Sequence, residues 1–310
     1  MTRSTHAAVA DARNADVQIY INGEFFHRDE AKISVFDSAF LVGDGIWEGI
    51  RLHHGEFAFL DRHLDRLFGA SRAVDLDIGS RADIEAALRA TVERNDMHDD
   101  VHVRLMITRG NKKTPSQHPS NVIGGPNTVI IAEHKRADPA VTADGISLFT
   151  ATVRRPPPDT LDQRLNCHSK LHEVIALIQA TKAGADEALM LDPTGAVATC
   201  NATNFFVVRG GALWTSSGHY SLPGITRAVV LEQARSAGFE THEAAFSLTD
   251  VYAADEAFVT GTFGALTPVH EIDGRSIGDG TGLGPVGTEL ARRYRAAIET
   301  DVAARRAARA

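Results

Sequence analysis

The sequence predicts a mixed α/β fold in two domains. Three observations carry that reading. Apolar positions switch along the chain between strict alternation and three-or-four spacing, the signatures of strands and helices. The pairs Asn22-Gly23, His54-Gly55 and Asp273-Gly274 sit between strand-like runs as hairpin turns. A polar stretch from Ala137 to Gly145 divides 310 residues, 43% of them apolar, which is more than one small core needs.

Residues 1–16 lack an apolar core segment and read as a flexible N-terminal arm, not a signal peptide. Residues 17–138 form the expected small α/β domain. Its hairpins span 17–26 and 46–59, and a helix follows with Leu60, Leu64, Leu67 and Phe68 on one face. Ser80 caps a second helix through Ile84, Leu88 and Val92, and strands come at 101–108 and 127–133. Residues 139–310 form the larger domain. It has a strand at 146–154, the breaker Pro156-Pro157-Pro158, a helix over about 168–182, and strands at 186–191 and 204–209. A helix from Ile225, a strand near 256–260, the Asp273-Gly274 hairpin and a closing helix complete it.

A formal charge of −8 and the lack of a basic, aromatic-bearing patch argue against a nucleic-acid binder. No run approaches membrane-spanning length. Two cysteines, Cys167 and Cys200, suit a reducing compartment, so the expectation is a cytoplasmic protein without disulfides. The Arg- and Ala-rich tail from Arg292 reads as a terminal helix fraying into solvent.

The most informative segment is LPGITR at 222–227. Pro223 and Gly224 make a turn, and Ile225 and Thr226 open a helix that stops at Gly238. Free N–H groups at a helix start, with a threonine hydroxyl beside them, suit a phosphate. Taken alone, the same residues are an ordinary loop-to-helix junction.

Several segments together resemble fold-type IV pyridoxal-phosphate enzymes: branched-chain and D-amino-acid aminotransferases, (R)-amine transaminases and aminodeoxychorismate lyases. They are FDSAFLVGDGIWEGIR (36–51), LDRHLDRL (60–67), HVRLMITRG (102–110), GADEALMLD (184–192), NATNFFVV (201–208), LPGITR and DEAFVTGTFGALTPV (255–269). They occur in family order over residues 18–300. The resemblance implies a two-domain homodimer with its cofactor between the domains and most of the phosphate cup in the larger one. It implies Arg66 of the HxxR pattern, Ile225, Thr226 and Thr262 as phosphate ligands. A guanidinium, a helix start and hydroxyls suit a dianion. Arg66 by itself reads as a solvated helix arginine.

Two residues that the resemblance leads one to expect are missing. The family's Schiff-base lysine falls on Asn166, whose amide nitrogen is not a nucleophile. The glutamate that keeps the pyridine nitrogen protonated falls on Thr199. Lys170, four residues beyond Asn166, would share its side of the predicted helix and offers a displaced amine. It also reads as a surface lysine paired with Glu173 or Asp186.

Other residues complete the candidate site. Trp47, Glu48 and Gly49 lie on the strand lining the substrate pocket of relatives, and Arg104 matches a substrate-side arginine there. His102 shares a strand face with Arg104 and reads either as an acid or base or as a structural histidine. Thr114 and Ser116 stand where D-amino-acid enzymes carry a carboxylate clamp, which argues against that specificity. Lys112 and Lys113 make the same loop basic, for an anion or for solvent. His168 and His172 have helix spacing for a metal but lack a diagnostic third ligand, so no metal is expected. Cys167 and Cys200 read as buried thiols before nucleophiles.

The expected function is therefore a class IV aminotransferase-like enzyme with Asn166 and Thr199 in a divergent site. Its chemistry would be acid–base, of lyase, isomerase or hydrolase type, on a small anionic amino or oxo acid. Lys170, Asn166 and His102 are the catalytic candidates, and pyridoxal phosphate is held noncovalently, through Lys170, or not at all. The alternatives are a pyridoxal-phosphate aminotransferase of branched-chain or amine type using Lys170, and a non-catalytic phosphate-ligand-binding protein.

Overall fold

The computed structural model describes residues 3–280 and 282–309 and divides into two compact units. The first takes in the described residues of Ala10–Arg136, Leu165–Ser169 and Asp301–Ala310. The second takes in those of Met1–Val9, Ala137–Arg164 and Lys170–Thr300.

In the first unit the elements are β1 (Gln18–Ile21), β2 (Glu24–His27), α1 (Ser38–Val42), β3 (Gly45–His53), β4 (Glu56–Phe57), α2 (Leu60–Ala73), α3 (Arg81–Arg94), β5 (Val101–Thr108), β6 (Asn111–Lys112), β7 (Val122–Ile123) and β8 (Asn127–His134). Six strands form an antiparallel sheet in the order β2-β1-β8-β5-β3-β4. Asn22 and Gly23 take φ of 50° and 98°, and His54 and Gly55 51° and 77°, the left-handed pairs a tight hairpin turn requires. Leu60, Leu64 and Leu67 of α2 and Ile84, Leu88 and Val92 of α3 are buried in one core with Ile50, Val103 and Leu105 of the sheet. Ser80 caps α3 by accepting from the Asp83 N–H.

The second unit contains α4 (Pro139–Asp144), β9 (Ile146–Thr150), α5 (Pro158–Leu161), α6 (Leu171–Lys182), β10 (Glu187–Leu191), β11 (Val197–Cys200), β12 (Asn204–Arg209), β13 (Ala212–Thr215), α7 (Ile225–Ser236), β14 (Thr241–Glu243), α8 (Leu248–Tyr252), β15 (Glu256–Gly261), β16 (Ala265–Ile272), β17 (Arg275–Ser276) and most of α9 (Pro285–Arg309). Its sheet runs β11-β10-β9-β16-β15-β12-β13-β14, with β17 beside β16. The β9 pairings with β10 and β16, and that of β13 with β14, are parallel. Ala176 and Ala180 of α6 pack on Ala188 and Met190, whereas Leu171, Val174, Ile175 and Ile178 of the same helix stay exposed.

Four sequence expectations change. The helix predicted over 168–182 starts at Leu171, because residues 166–168 join the edge of β3: Trp47 N–H donates to the Asn166 carbonyl (2.8 Å) and His168 N–H to that of Gly45 (3.0 Å). The 137–145 stretch contains α4, capped by Asp138. The N-terminal segment, expected as a flexible arm, is tied down: Thr5 is 4% exposed and Ala8 bridges Ala137. The C-terminal tail does not fray. It is helical through Arg309, and Arg305 and Arg309 pair with Asp61 and Glu56.

Candidate functional site

In the first unit α2 presents His63 and Arg66, three residues apart on one face, to Glu48 of β3. Arg66 Nε and Nη2 donate to Glu48 Oε1 and Oε2 at 2.8 and 2.7 Å. His63 Nδ1 lies 2.7 Å from Oε2 and donates to it, since an ionised carboxylate only accepts. Glu48 and His63 are each 1% exposed. Burial alone would raise the Glu48 carboxyl, but the charge and hydrogen bonds of Arg66, joined by His63, hold it below its ordinary value. Burial lowers the His63 imidazole below its ordinary value, against the opposing pull of Glu48. Arg66, read from sequence as a solvated arginine unless part of a cup, is thus held by its Nε/Nη2 edge.

Side chains alternate along β3, so Trp47 and Gly49 occupy the sheet face opposite Glu48. Gly49 pairs with Arg104 and Arg51 with His102 across β5. The Arg104 guanidinium stacks 3.9 Å from the Trp47 ring centre. Among the described residues it has no hydrogen-bonded or ion-paired partner, and burial depresses its pKa. Trp47 Nε1 donates to the Cys167 carbonyl at 3.1 Å. A Cβ on Gly49 would lie 3.1 and 3.2 Å from His102 Cε1 and Nε2, so glycine is what lets the imidazole lie there. Gly49→Ala is expected to displace the ring and to cost about 1–3 kcal/mol. A shifted His102 resonance in NMR spectra, with altered Trp47 fluorescence, checks this.

Asn166 sits at the β3 edge, 4% exposed. Lys170 does not share a helix face with it: Lys170 is the residue before α6 and belongs to the other unit. Lys170 Nζ lies 3.4 Å from Glu173 Oε1, an oxygen that Arg155 already holds at 2.6 Å. His168 likewise lies outside α6, so it and His172 share no helix face, and His172 Nε2 meets Gln163 Oε1 at 2.8 Å. No group of three or more His, Cys, Asp or Glu able to hold a metal is found among the described residues. Lys113 is exposed, but Lys112 is not solvated: it is 2% exposed and its Nζ has no hydrogen-bond partner.

In the second unit, α7 starts at Gly224 without a side-chain cap. A Cβ there would collide with Asn204 Oδ1 at 2.1 Å, so only glycine allows this approach to the helix start. Asn204 Nδ2 donates to the Leu222 carbonyl and fixes the turn. Thr226 is 2% exposed and its hydroxyl meets that of Tyr294 at 3.1 Å. Thr260, paired with Asn204 across β15 and β12, carries a buried hydroxyl without a hydrogen-bond partner among the described residues, as does Ser221. Thr262 is half-buried at the end of β15. An uncapped first turn with unsatisfied hydroxyls in the same unit suits an anion.

Thr199 is 2% exposed and donates its hydroxyl to the Thr203 carbonyl at 2.7 Å. It brings no charge to a pyridine nitrogen. Cys167 and Cys200 are buried and free, and burial pushes the Cys200 thiol well up, away from nucleophile chemistry.

The structure thus gathers Trp47, Gly49, His102 and Arg104 on one sheet face and sets Arg66 on the other. The sequence reading missed Glu48 and His63 as partners of Arg66. Their signal was a carboxylate inside an otherwise apolar strand and a histidine one turn before the arginine. It also missed Glu187, a buried carboxylate that accepts from Thr5 and Thr203.

Comparison with known proteins agrees with this architecture. The Amino-transferase class IV family model matches residues 45–272. Branched-chain-amino-acid aminotransferase-like protein 1 of Arabidopsis thaliana is 39% identical over 289 residues, 92% of this chain and 51% of that protein. The chain spans about half the length of the Arabidopsis relatives it matches. The branched-chain-amino-acid aminotransferase of Pseudomonas aeruginosa is 32% identical over 287 residues, 90% of this chain and 92% of that protein. The T.th. branched-chain amino acid aminotransferase, solved with pyridoxamine 5'-phosphate, superposes with a TM-score of 0.84 at 30% identity, over 92% of this chain and 95% of that one. With the family model covering most of its length and both units folded as in these relatives, the chain belongs to the class IV aminotransferases.

Proposed function

We propose that this protein binds a phosphorylated pyridine of the pyridoxal phosphate type without a covalent tether at Asn166, and carries out acid–base chemistry on a small anionic amino or oxo acid. The observation that carries this reading is Asn166 itself. It is buried, its carbonyl is fixed to Trp47 in strand register, and it has no amine to offer.

The candidate groups belong to each unit separately. The second offers the N–H groups of Ile225 and Thr226, and Thr262, to a phosphate, with Thr199 as an uncharged neighbour for the ring. The first offers Arg66 as a cation already oriented by Glu48. When bound, such a ring acts as an electron sink for charge developing on a substrate carbon. Arg104, stacked on Trp47, orients a substrate carboxylate, and His102 on the same face takes or returns a proton.

The purified protein, titrated with pyridoxal phosphate, reduced with borohydride and peptide-mapped, tests this. Saturable binding with no reduced adduct is the expected result. An adduct on Lys170 would overturn it and establish the second reading, an aminotransferase with a displaced lysine. One observation favours that alternative: Arg155 already neutralises Glu173, so the 27%-exposed Lys170 is the loosely held cation of the cluster. A homodimer and a cytoplasmic location belong to the same proposal. The exposed Phe40, Val35, Leu171 and Val174 support the dimer, as apolar side chains that a second copy would cover. No helix is long and apolar enough to cross a membrane among the described residues.

A further inference from the structure

We infer that the N-terminal segment Arg3–Ala8 is a strap that positions the end of β11 at Thr199 and the loop of Thr262 in the second unit, with Thr5 and Glu187 as its positioning residues. The inference rests on the proposed ligand only for its binding readout.

Thr5 N–H donates to Glu187 Oε1 at 2.9 Å, and the Thr5 hydroxyl donates to the same oxygen. The other carboxylate oxygen accepts from the Thr203 hydroxyl at 3.3 Å. Glu187 is 1% exposed and has no cationic partner among the described residues. A buried carboxylate held only by hydroxyls and one N–H depends on every donor it has, and burial raises its pKa accordingly. Glu187 therefore ties Thr5 to Thr203. The Thr203 carbonyl in turn accepts from the Thr199 hydroxyl and from the Cys200 N–H.

The strap meets a second loop independently. His6 stacks on Phe263 with ring centres 6.4 Å apart, and the Thr5 carbonyl lies 3.2 Å from where a Cβ on Gly264 would stand. Phe263 directly follows Thr262. The same short segment thus reaches, through Glu187 and Thr203, the strand end carrying Thr199 and, through Phe263, the loop carrying Thr262. Its ends are fixed as well: Arg3 N–H donates to Asp186 and its guanidinium pairs with Asp144, while the Ala7 carbonyl accepts from the Asp138 N–H.

The test compares Thr5→Val, Thr5→Ser and Glu187→Gln in the full-length protein. It uses hydrogen–deuterium exchange over residues 199–204 and 261–265 and pyridoxal phosphate titration by fluorescence. Thr5→Val should speed exchange in both loops and weaken binding at least about 10-fold, and Thr5→Ser should restore both. Unchanged exchange in Thr5→Val and Glu187→Gln would overturn the strap. Faster exchange with undiminished ligand affinity would overturn its positioning role. A parent protein that binds no pyridoxal phosphate would sink the proposed function instead, leaving exchange to judge the strap.

Discussion

Glu48→Ala is expected to lower folding stability by about 3–5 kcal/mol, the usual loss when one member of a buried ion pair is removed. The variant removes the carboxylate that holds the Arg66 guanidinium, only 12% exposed, and takes from His63 the acceptor of its Nδ1–H. Glu48→Gln keeps the volume and one acceptor and should lose distinctly less. Denaturant midpoints at constant slope measure both. A loss below about 1 kcal/mol in Glu48→Ala would mean that the triad is an ordinary surface-type pair.

The same triad sets a pH dependence whose sign follows from two depressed groups. Glu48 ionises below its unfolded value and His63 resists protonation in the fold. Each contributes stability that is fully present above its unfolded pKa and lost as pH falls through the folded one. His63 begins to act below its ordinary value of 6.5 and Glu48 below 4.5, so stability should decline in two stages on acidification. His63→Phe should flatten the upper stage, because phenylalanine does not titrate, and should shrink the lower one, because Glu48 loses a donor.

Much of the architecture was legible because hairpin turns and helix caps are local. Asn22-Gly23 and His54-Gly55 adopt positive φ wherever the rest of the chain goes, and Ser80 caps α3 from within its own first turn. The LPGITR start was readable for the same reason. What escaped were pairings between distant residues. Residues 166–168 give their hydrogen bonds to β3, some 120 positions earlier, and this overrides the helical pattern that the sequence carries from His168. Thr5 finds Glu187 across more than 180 residues, and nothing in the local sequence of either announces it. Arg66 was identified as a cation but not its counter-charge, because a glutamate in an apolar strand looks like an interruption until its partner helix is in place.

The largest functional change is expected from Asn166→Lys. At 4% exposure, an amine at this position is desolvated, which favours its neutral, nucleophilic form at ordinary pH. Its backbone stays in register through the Trp47 N–H, so the change does not disturb β3. The variant should pass from no borohydride-stable adduct to near-complete labelling at position 166, read by peptide mapping. Thr199→Glu tests the other lost position by a different route. It removes a donor from the Thr203 carbonyl and buries a carboxylate in β11, every residue of which is buried. That variant alone should melt lower than the parent, and pyridoxal phosphate should restore it, because a protonated ring nitrogen supplies the missing counter-charge. Labelling on Lys170 instead of position 166 in Asn166→Lys would overturn this expectation, and the displaced-lysine reading would then stand.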